Sequence, residues 1–209
     1  MAKAVYNKEK RMGGMGLAVE FELKFRATPQ ALSEIAEAVR GERKRLEMQT
    51  TYYDTVAGDL SARKYTLRRR LENGCAVCTV KIPAGANRRG EWELPCPDVL
   101  QAIPALCQMG APADLVELTK PGLVEICGAR FTRVAITLAF EDGVLELALD
   151  QGELTGGGKT APLCEVEVEL KSGPAALAEQ YARALAVKYG LQQEKYSKFR
   201  RARDLAKGE

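Results

Sequence analysis

The chain has 209 residues, enough for one large domain or two small ones. Its net charge of +3, with 46% hydrophobic and 28% charged residues, is typical of a soluble globular protein and gives no reason to expect a nucleic-acid or membrane partner. No apolar run approaches the roughly 20 residues of a membrane helix. The basic N-terminus lacks the apolar segment of a secretory signal, so a cytoplasmic protein is expected.

The residue types present exclude several kinds of chemistry. The chain has no histidine, which removes Ser-His and Cys-His nucleophilic schemes and the commonest zinc ligand. Its six cysteines are expected to be free thiols, since no export signal is present. Cys75 and Cys78 have the spacing of a metal or redox pair, but they lie in an apparent strand, where residues three apart point to opposite faces. A metal or redox role for this pair is therefore not favoured.

The first predicted elements are a strand and a helix. Residues 1–16 are expected to be a disordered or weakly ordered extension of a domain over 17–209. Polar and apolar residues alternate in VEFELKF, which predicts a strand over 19–25. A helix is predicted over about 29–40, with Thr28 as its N-cap and Pro29 at its first position.

The middle of the chain predicts strands and then a helical segment. A strand from Lys44 is followed by a turn at residues 58–59 and by three short alternating runs. Asn73-Gly74 between the first two of these runs is a strong hairpin signal. A glycine-bounded loop separates the last two runs. Residues 98–117 are predicted to be helical, with interruptions at Pro104 and Pro112.

The second half continues this pattern. Its predicted elements are, in order, a strand over 130–140, a hairpin turn at 141–143, a strand over 144–150, a glycine-rich loop at 156–158, a strand over 163–171, a helix over about 174–189 and a short helix near the C-terminus. Many short strands joined by hairpin signals predict an antiparallel sheet or barrel with helices at its edges.

The charge on these strands has an unusual distribution. For a single strand, the usual arrangement is an apolar face toward the core and a charged face toward water. Here seven strands have polar faces made almost entirely of carboxylates, Lys and Arg, separated by small residues. We therefore predict a barrel with its apolar faces outside, under helices, and its charge in the lumen. Such buried charge is costly unless paired or bound, which indicates a function.

The predicted lumen has the residue types of a phosphoryl-transfer site. Arginine forks match phosphate oxygens, and clustered carboxylates suit hard divalent cations such as Mg²⁺ or Mn²⁺. Because Arg69 and Arg70 are adjacent, assigning Arg70 to the lumen depends on the strand phase. Arg88 and Arg89, in the glycine-bounded loop, are expected to be solvated, and Trp92 is expected on the outer face.

Short motifs that fit this chemistry extend from about Leu17 to Asp204. They are, in chain order, Glu20-x-Glu22-x-Lys24, Tyr53-Asp54-Thr55, Leu67-Arg68-x-Arg70, Thr79-x-Lys81, Glu91-x-Glu93, Arg133, Glu146-x-Ala148-x-Asp150-x-Gly152-Glu153, Glu165-x-Glu167-x-Glu169 and Ser197-Lys198. A lone ExExK occurs often by chance, but the ordered set resembles the CYTH superfamily, the triphosphate tunnel metalloenzymes. The resemblance implies an α+β fold whose eight-stranded antiparallel β-barrel forms a tunnel with a charged lumen and flanking helices.

The resemblance also implies roles for individual residues. The expected metal ligands, for Mg²⁺ or Mn²⁺, are Glu20, Glu22, Asp150, Glu165, Glu167 and Glu169. The residues expected to hold the phosphate chain are Lys24, Arg68, Arg70, Lys81, Arg133 and Lys198. The residues expected to take part in catalysis are Glu20, Glu22, Lys24, Lys81 and Glu167. The acids Glu91, Glu93 and Glu146 are expected to line the same tunnel.

The activity implied is metal-dependent hydrolysis of inorganic triphosphate, a small-molecule substrate, to pyrophosphate and phosphate. A class IV-type adenylate cyclase and a thiamine triphosphatase remain alternatives, as does a module that binds polyphosphate without turnover. The carboxylates of the first strand, Glu20 and Glu22, and those of the last strand, Glu165, Glu167 and Glu169, are both present. This favours an enzyme over a pure binder, because metal-assisted phosphoryl transfer requires carboxylates as ligands. A homodimer is left open.

Overall fold

A computed structural model describes the backbone of residues 18–84 and 88–208 and the side chains of residues 21–84 and 89–208. The extension predicted over 1–16 therefore lies outside the described residues, as do the side chains of Glu20 and Arg88. The described part forms these strands: β1 (Ala18–Arg26), β2 (Glu42–Asp54), β3 (Thr66–Glu72), β4 (Cys75–Pro83), β5 (Arg88–Pro95), β6 (Val124–Phe140), β7 (Gly143–Gly156), β8 (Lys159–Ser172) and β9 (Gln192–Gln193). Its helices are α1 (Pro29–Ala38), α2 (Asp59–Ala62), α3 (Val99–Gln108), α4 (Leu115–Leu118), α5 (Ala175–Tyr189) and α6 (Lys198–Lys207).

Eight of these strands form an antiparallel ring. Their order is β5-β4-β3-β2-β6-β7-β8-β1, and each neighbouring pair is antiparallel. β1 also pairs with β5, through Ala18–Phe21 and Arg88–Glu91, which joins the two ends of this order. The short strand β9 pairs with the end of β1. The predicted eight-stranded antiparallel barrel with flanking helices is confirmed.

The apolar faces of the strands point outward and are covered by helices. On one side, α1 and α5 pack over β1 and β6–β8 through buried residues such as Ile35, Leu147, Val168 and Ala182. On the other side, α2, α3 and α4 cover β3–β5, and Trp92 is buried there with other apolar residues. These two clusters of the hydrophobic core therefore lie outside the barrel, as the alternation of residues predicts.

The first helix begins where the sequence signals place it. The Thr28 hydroxyl accepts a hydrogen bond from the Ala31 backbone N–H at 3.1 Å, and Pro29 occupies the first helical position, where no N–H is needed. Leu32 and Ile35 lie one turn apart and face the barrel, since residues three to four apart share one side of a helix.

Several element boundaries differ from the sequence predictions. The segment predicted to be helical over 98–117 is two helices, because α3 ends at Gln108 and Gly110 follows with φ of +103°. Pro104 lies within α3 without ending it. The predicted turn at 58–59 leads into the four-residue helix α2. The glycine-rich segment 156–158 is a tight turn between long strands, and its last two glycines have positive φ.

The C-terminal helix α6 packs against β6, β7 and β8 on the inner side of the barrel. Phe131 and Leu163 lie on that side and form an apolar cluster with Ala202 and Phe199 of the helix. The rings of Tyr52 and Phe199 lie 5.1 Å apart. One end of the lumen therefore has an apolar floor. Within the described residues, no helix combines the length and apolarity needed to span a membrane.

The apolar packing between the outer face of the barrel and its helices gives a testable expectation for Leu147, a fully buried residue of β7. Leu147→Ala should lower the free energy of unfolding by about 2–5 kcal/mol, because it leaves a cavity beneath the helices. Val187→Ala on α5 is the control and should change it by less than about 0.5 kcal/mol, since Val187 is 81% exposed. Urea denaturation measures both. Equal costs would contradict an apolar core outside the barrel.

Candidate active site

The strand register places the charged side chains in layers inside the barrel. Side chains of directly paired residues in antiparallel strands point to the same face. One layer contains Glu22, Glu169 and Glu146; the next contains Lys24 and Glu167; and the third contains Glu165, Asp150 and Arg133. Residues from β1 and from the consecutive strands β6, β7 and β8 therefore meet along one wall.

The innermost acidic group is a cluster of three carboxylates. Oxygen atoms of Asp150, Glu165 and Glu167 all lie within 4.8 Å of one another, a spacing that a metal ion could bridge. The Asp150 and Glu165 side chains are 0% exposed. Lys198 Nζ of α6 lies 2.8 Å from Asp150 Oδ2 and 2.7 Å from Glu167 Oε1, and it also contacts Glu165.

Two arginines complete the charge balance of this cluster. Arg133 donates two 2.7 Å hydrogen bonds to Asp150, in a bidentate arrangement, and a third of 2.5 Å to Glu167. Arg201 of α6 contacts Glu165. Three cations thus oppose three carboxylates, as the burial of such charges requires.

The cluster shifts the proton affinities of its members. Burial, together with the neighbouring Glu167 carboxylate, raises the pKa of Glu165 to about 7. Burial also disfavours the charged form of Glu167, but Lys198 and Arg133 hold the pKa of Glu167 well below its ordinary value. Although burial opposes it, the surrounding carboxylates raise the pKa of Lys198 well above its ordinary value.

The layer above this cluster is more accessible to solvent. The side chain of Glu22 is 14% exposed and that of Glu169 is 23% exposed. Lys24 Nζ lies 2.5 Å from Glu22, and Lys171 Nζ lies 2.6 Å from Glu169 and 3.6 Å from Glu146. Three carboxylates face two ammonium groups here, so the layer carries an excess of negative charge.

Cationic side chains of β3 and β4 line the lumen together with acids of β5. Lys81 Nζ lies 3.2 Å from Glu91, Arg68 lies 3.5 Å from Glu91, and Arg70 lies 3.7 Å from Glu93. Arg70 also contacts Glu72. Burial and the nearby Arg68 lower the pKa of Arg70 below its ordinary value.

Strand phase places Arg69 on the opposite face from Arg70. Arg69 pairs with the outward-facing Cys78 and donates to the Pro97 carbonyl at 3.3 Å. Arg70 Nε and Thr79 Oγ1 are buried atoms without a hydrogen-bond partner among the described residues. Because buried polar atoms are normally satisfied, these donors are available to an anionic ligand in the lumen.

The two groups of carboxylates differ in how well they fit a divalent metal ion. The Asp150–Glu165–Glu167 cluster has the shorter oxygen spacing, but the Lys198 ammonium already contacts all three carboxylates. Mg²⁺ usually keeps several waters and binds one or two carboxylates together with substrate phosphates. The partly exposed layer of Glu22 and Glu169 offers that arrangement, so the residues present fit such an ion.

Strand parity gives no signal for Arg201 and Glu194, which also belong to the charge network. Arg201 and Glu194 lie on α6 and on the connection before it, where alternation carries no information. Arg201 follows Lys198 by three positions on one helix, a spacing that places both on one side and could have identified it. Glu194 has no comparable signal, because its partner Arg26 is 168 residues away.

Comparison with known proteins agrees with this fold. Residues 18–202 match the family model of the CYTH domain. An inorganic triphosphatase from Haemophilus influenzae is 30% identical over 162 residues, which cover 74% of this chain and 46% of that protein. The chain thus spans about half the length of this curated relative.

Solved structures share the architecture at low sequence identity. A Hippeastrum protein, described as an adenylyl cyclase candidate with dominant triphosphatase activity, superimposes with a TM-score of 0.64 at 19% identity, over 89% of this chain and 95% of that one. The PH1819 protein of Pyrococcus horikoshii gives a TM-score of 0.57 at 20% identity, over 85% and 94% of the two chains. Since the family model matches most of its length, the chain belongs to the CYTH domain family.

Proposed function

We propose that the chain hydrolyses inorganic triphosphate to pyrophosphate and phosphate, using Mg²⁺ or Mn²⁺. The observation that carries the proposal is the strand register, which puts carboxylates of β1, β7 and β8 and cations of β3 and β4 on the inner face of one barrel. A polyphosphate with its metal ion needs both kinds of group. The Haemophilus influenzae relative, an inorganic triphosphatase, supports this choice of substrate.

The cationic side chains would hold the phosphate chain. Arg68, Arg70 and Lys81 lie on adjacent strands, so they can contact successive phosphates. The buried Nε of Arg70 and the hydroxyl of Thr79 can each donate to a phosphate oxygen. On binding, Glu91 and Glu93 would exchange part of their ion pairing with these cations for a phosphate partner.

The acidic wall would hold the metal ion. We assign Glu22 and Glu169 as its ligands, with Glu167 and Glu20 beside them in the strand order. When bound, the ion would neutralise phosphate oxygens and lower the pKa of a coordinated water. A water molecule would attack the terminal phosphorus in line and release a proton to solvent, while the bond to the bridging oxygen breaks and pyrophosphate leaves. Lys24, next to Glu22, would stabilise negative charge on the transferred group.

The inner cluster would have a different task. Because Lys198 and Arg133 are already paired with Asp150, Glu165 and Glu167, we assign them to a charged inner end of the site. Their positive charge would stabilise the phosphate nearest to them without releasing those carboxylates. Glu167 would be kept ionised and oriented by Arg133 and Lys198.

A substrate comparison tests the proposal directly. Purified protein is incubated with tripolyphosphate, ATP or thiamine triphosphate and either metal, and released phosphate and cyclic AMP are measured. We expect phosphate from tripolyphosphate, reduced at least about 100-fold in Glu22→Gln, because the variant loses a charged ligand. Glu47→Gln is the control and should retain activity, since Glu47 is exposed on the outer face of β2.

Each other outcome of this comparison would contradict the proposal. Cyclic AMP from ATP would indicate a cyclase, and a preference for thiamine triphosphate would indicate a thiamine triphosphatase. Tight binding of tripolyphosphate without turnover would indicate a binding module.

The two adjacent arginines of β3 test the phosphate-binding wall. Arg70→Ala should raise KM for tripolyphosphate by about 10–150-fold, because a hydrogen bond to a charged group contributes about 1.5–3 kcal/mol. Arg69→Ala should leave KM within about twofold, since Arg69 points to the outer face. Steady-state kinetics measure both variants. Similar effects of the two substitutions would show that the wall does not bind substrate.

The raised pKa of Glu165 predicts how stability depends on pH. Its folded value, about 7, lies above the ordinary value of 4.5. The stability it contributes is therefore full at low pH and is lost as pH rises through about 7. In metal-free buffer, the free energy of unfolding should fall between about pH 5 and about pH 8, by at most about 1.4 kcal/mol per pH unit.

Urea denaturation across this pH range measures the effect. The chain has no histidine, so few other side chains titrate in the same window. Glu165→Gln should flatten the dependence, because the amide cannot ionise. A stability that rises with pH in the wild type would contradict the assignment.

A further inference from the structure

Glu194 is a buried carboxylate at the point where the last connection of the chain meets the barrel. It follows β9 and precedes α6, and its side chain is only 1% exposed. Its backbone N–H donates to the Lys24 carbonyl at 2.8 Å. Its carboxylate accepts from Arg26 Nε at 2.5 Å and from the Tyr196 backbone N–H at 2.8 Å. Burial disfavours its charged form, but these donors lower the pKa of Glu194 below its ordinary value.

Arg201 connects Glu194 to the inner cluster of the lumen. Its Nη1 lies 3.5 Å from Glu194 Oε2, while its Nη2 contacts Glu165. Glu165 in turn contacts Lys198, which is one turn before Arg201 on α6. A continuous path of charged contacts therefore runs from Glu194 to the Lys198 ammonium.

The helix that carries Lys198 depends on tertiary contacts for its stability. α6 has ten residues, and helices of that length are marginal without tertiary contacts. The position of α6 relative to the strands also determines whether the Lys198 ammonium contacts the carboxylates of Asp150, Glu165 and Glu167. Two features depend on this position of the helix. They are the tilted contact between the rings of Phe199 and Tyr52, and the 3.9 Å distance from Cys127 Sγ to the Phe199 carbonyl oxygen.

We propose that Glu194 is a positioning residue that, through Arg201, seats α6 on the barrel and so holds Lys198 within the carboxylate cluster. The catalytic consequence rests on the proposed triphosphatase function, but the seating of the helix does not. Glu194 itself contacts Arg26, Arg201 and a backbone N–H, and none of these belongs to the phosphate-binding wall. Displacements of about 1 Å in an active site can cost about 100-fold in rate.

Kinetics separate positioning from a general effect on stability. Glu194→Gln should lower kcat for tripolyphosphate by about tenfold and change KM by less than about twofold, and Arg201→Met should reproduce this. Asp204→Asn is the matched control and should have no effect, because it removes an exposed ion pair with Arg200 from the same helix.

A double-mutant cycle identifies the residue through which Glu194 acts. In a Lys198→Met background, Glu194→Gln should lower kcat by less than about twofold further, since the group it positions is already absent. An additive, roughly tenfold loss in that background would overturn the proposal.

A second readout needs no activity. In the native protein Cys127 lies beneath the first turn of α6, and burial raises its pKa to about 12, so it should alkylate slowly. Glu194→Gln should increase the rate at which iodoacetamide alkylates Cys127 by at least about tenfold. Peptide mass spectrometry measures the rate. Cys78, buried on the opposite side with a pKa also near 12, is the internal control and should not change.

The alkylation results decide the proposal even if tripolyphosphate is not turned over. Faster reaction of Cys127 alone supports the seating of α6 by Glu194. Unchanged reaction of Cys127, or equal acceleration of Cys127 and Cys78, would overturn it, because the first shows no seating role and the second shows global destabilisation. Absence of wild-type turnover would instead contradict the proposed function.

Discussion

Charged side chains enclosed by a ring of strands must balance one another, and the rest of this structure depends on that constraint. Removing an ion from water costs several kcal/mol unless a partner of opposite charge replaces the lost hydration. Asp150 and Glu165 are fully buried, and Arg133, Lys198 and Arg201 supply the opposing charge. Because charged side chains occupy the inner face of these strands, their apolar side chains point outward. Helices on both sides of the barrel then bury these apolar side chains.

Solvent access divides the lumen into two regions with different chemistry. The inner cluster is buried and its charges are paired, so a ligand could replace one of its ion pairs only by leaving a buried carboxylate uncompensated. The layer of Glu22 and Glu169 is partly exposed, and the β3–β4 wall contains buried donors without partners among the described residues. A hydrated metal ion with a polyanion can enter these regions at a lower desolvation cost. Under the proposed function, this gradient of burial would orient the phosphate chain with one end toward Lys198.

Strand periodicity was sufficient to predict a barrel with charged side chains inside and apolar faces outside. It was not sufficient to predict which strands close the barrel or where the helices end. Alternation fixes which face each strand residue occupies, so the placement of Arg70 inside and Arg69 outside follows from local sequence. It does not specify how β1 meets β5 to complete the ring, since that pairing joins residues about 70 positions apart. The helical segment predicted over 98–117 was divided wrongly, because Pro104 is accommodated within α3 and the helix ends before Gly110.

Lys198 shows how the role of a motif residue depends on its tertiary context. The resemblance to triphosphate tunnel enzymes implies that this lysine binds phosphate. In the fold its ammonium contacts three carboxylates, so a phosphate could bind it directly only by displacing one of them. That exchange would leave a buried carboxylate without its partner, a cost of several kcal/mol. Acting at a distance, with its carboxylates retained, is therefore the less costly way for Lys198 to stabilise a bound polyanion, and it requires that α6 hold the ammonium in a fixed place.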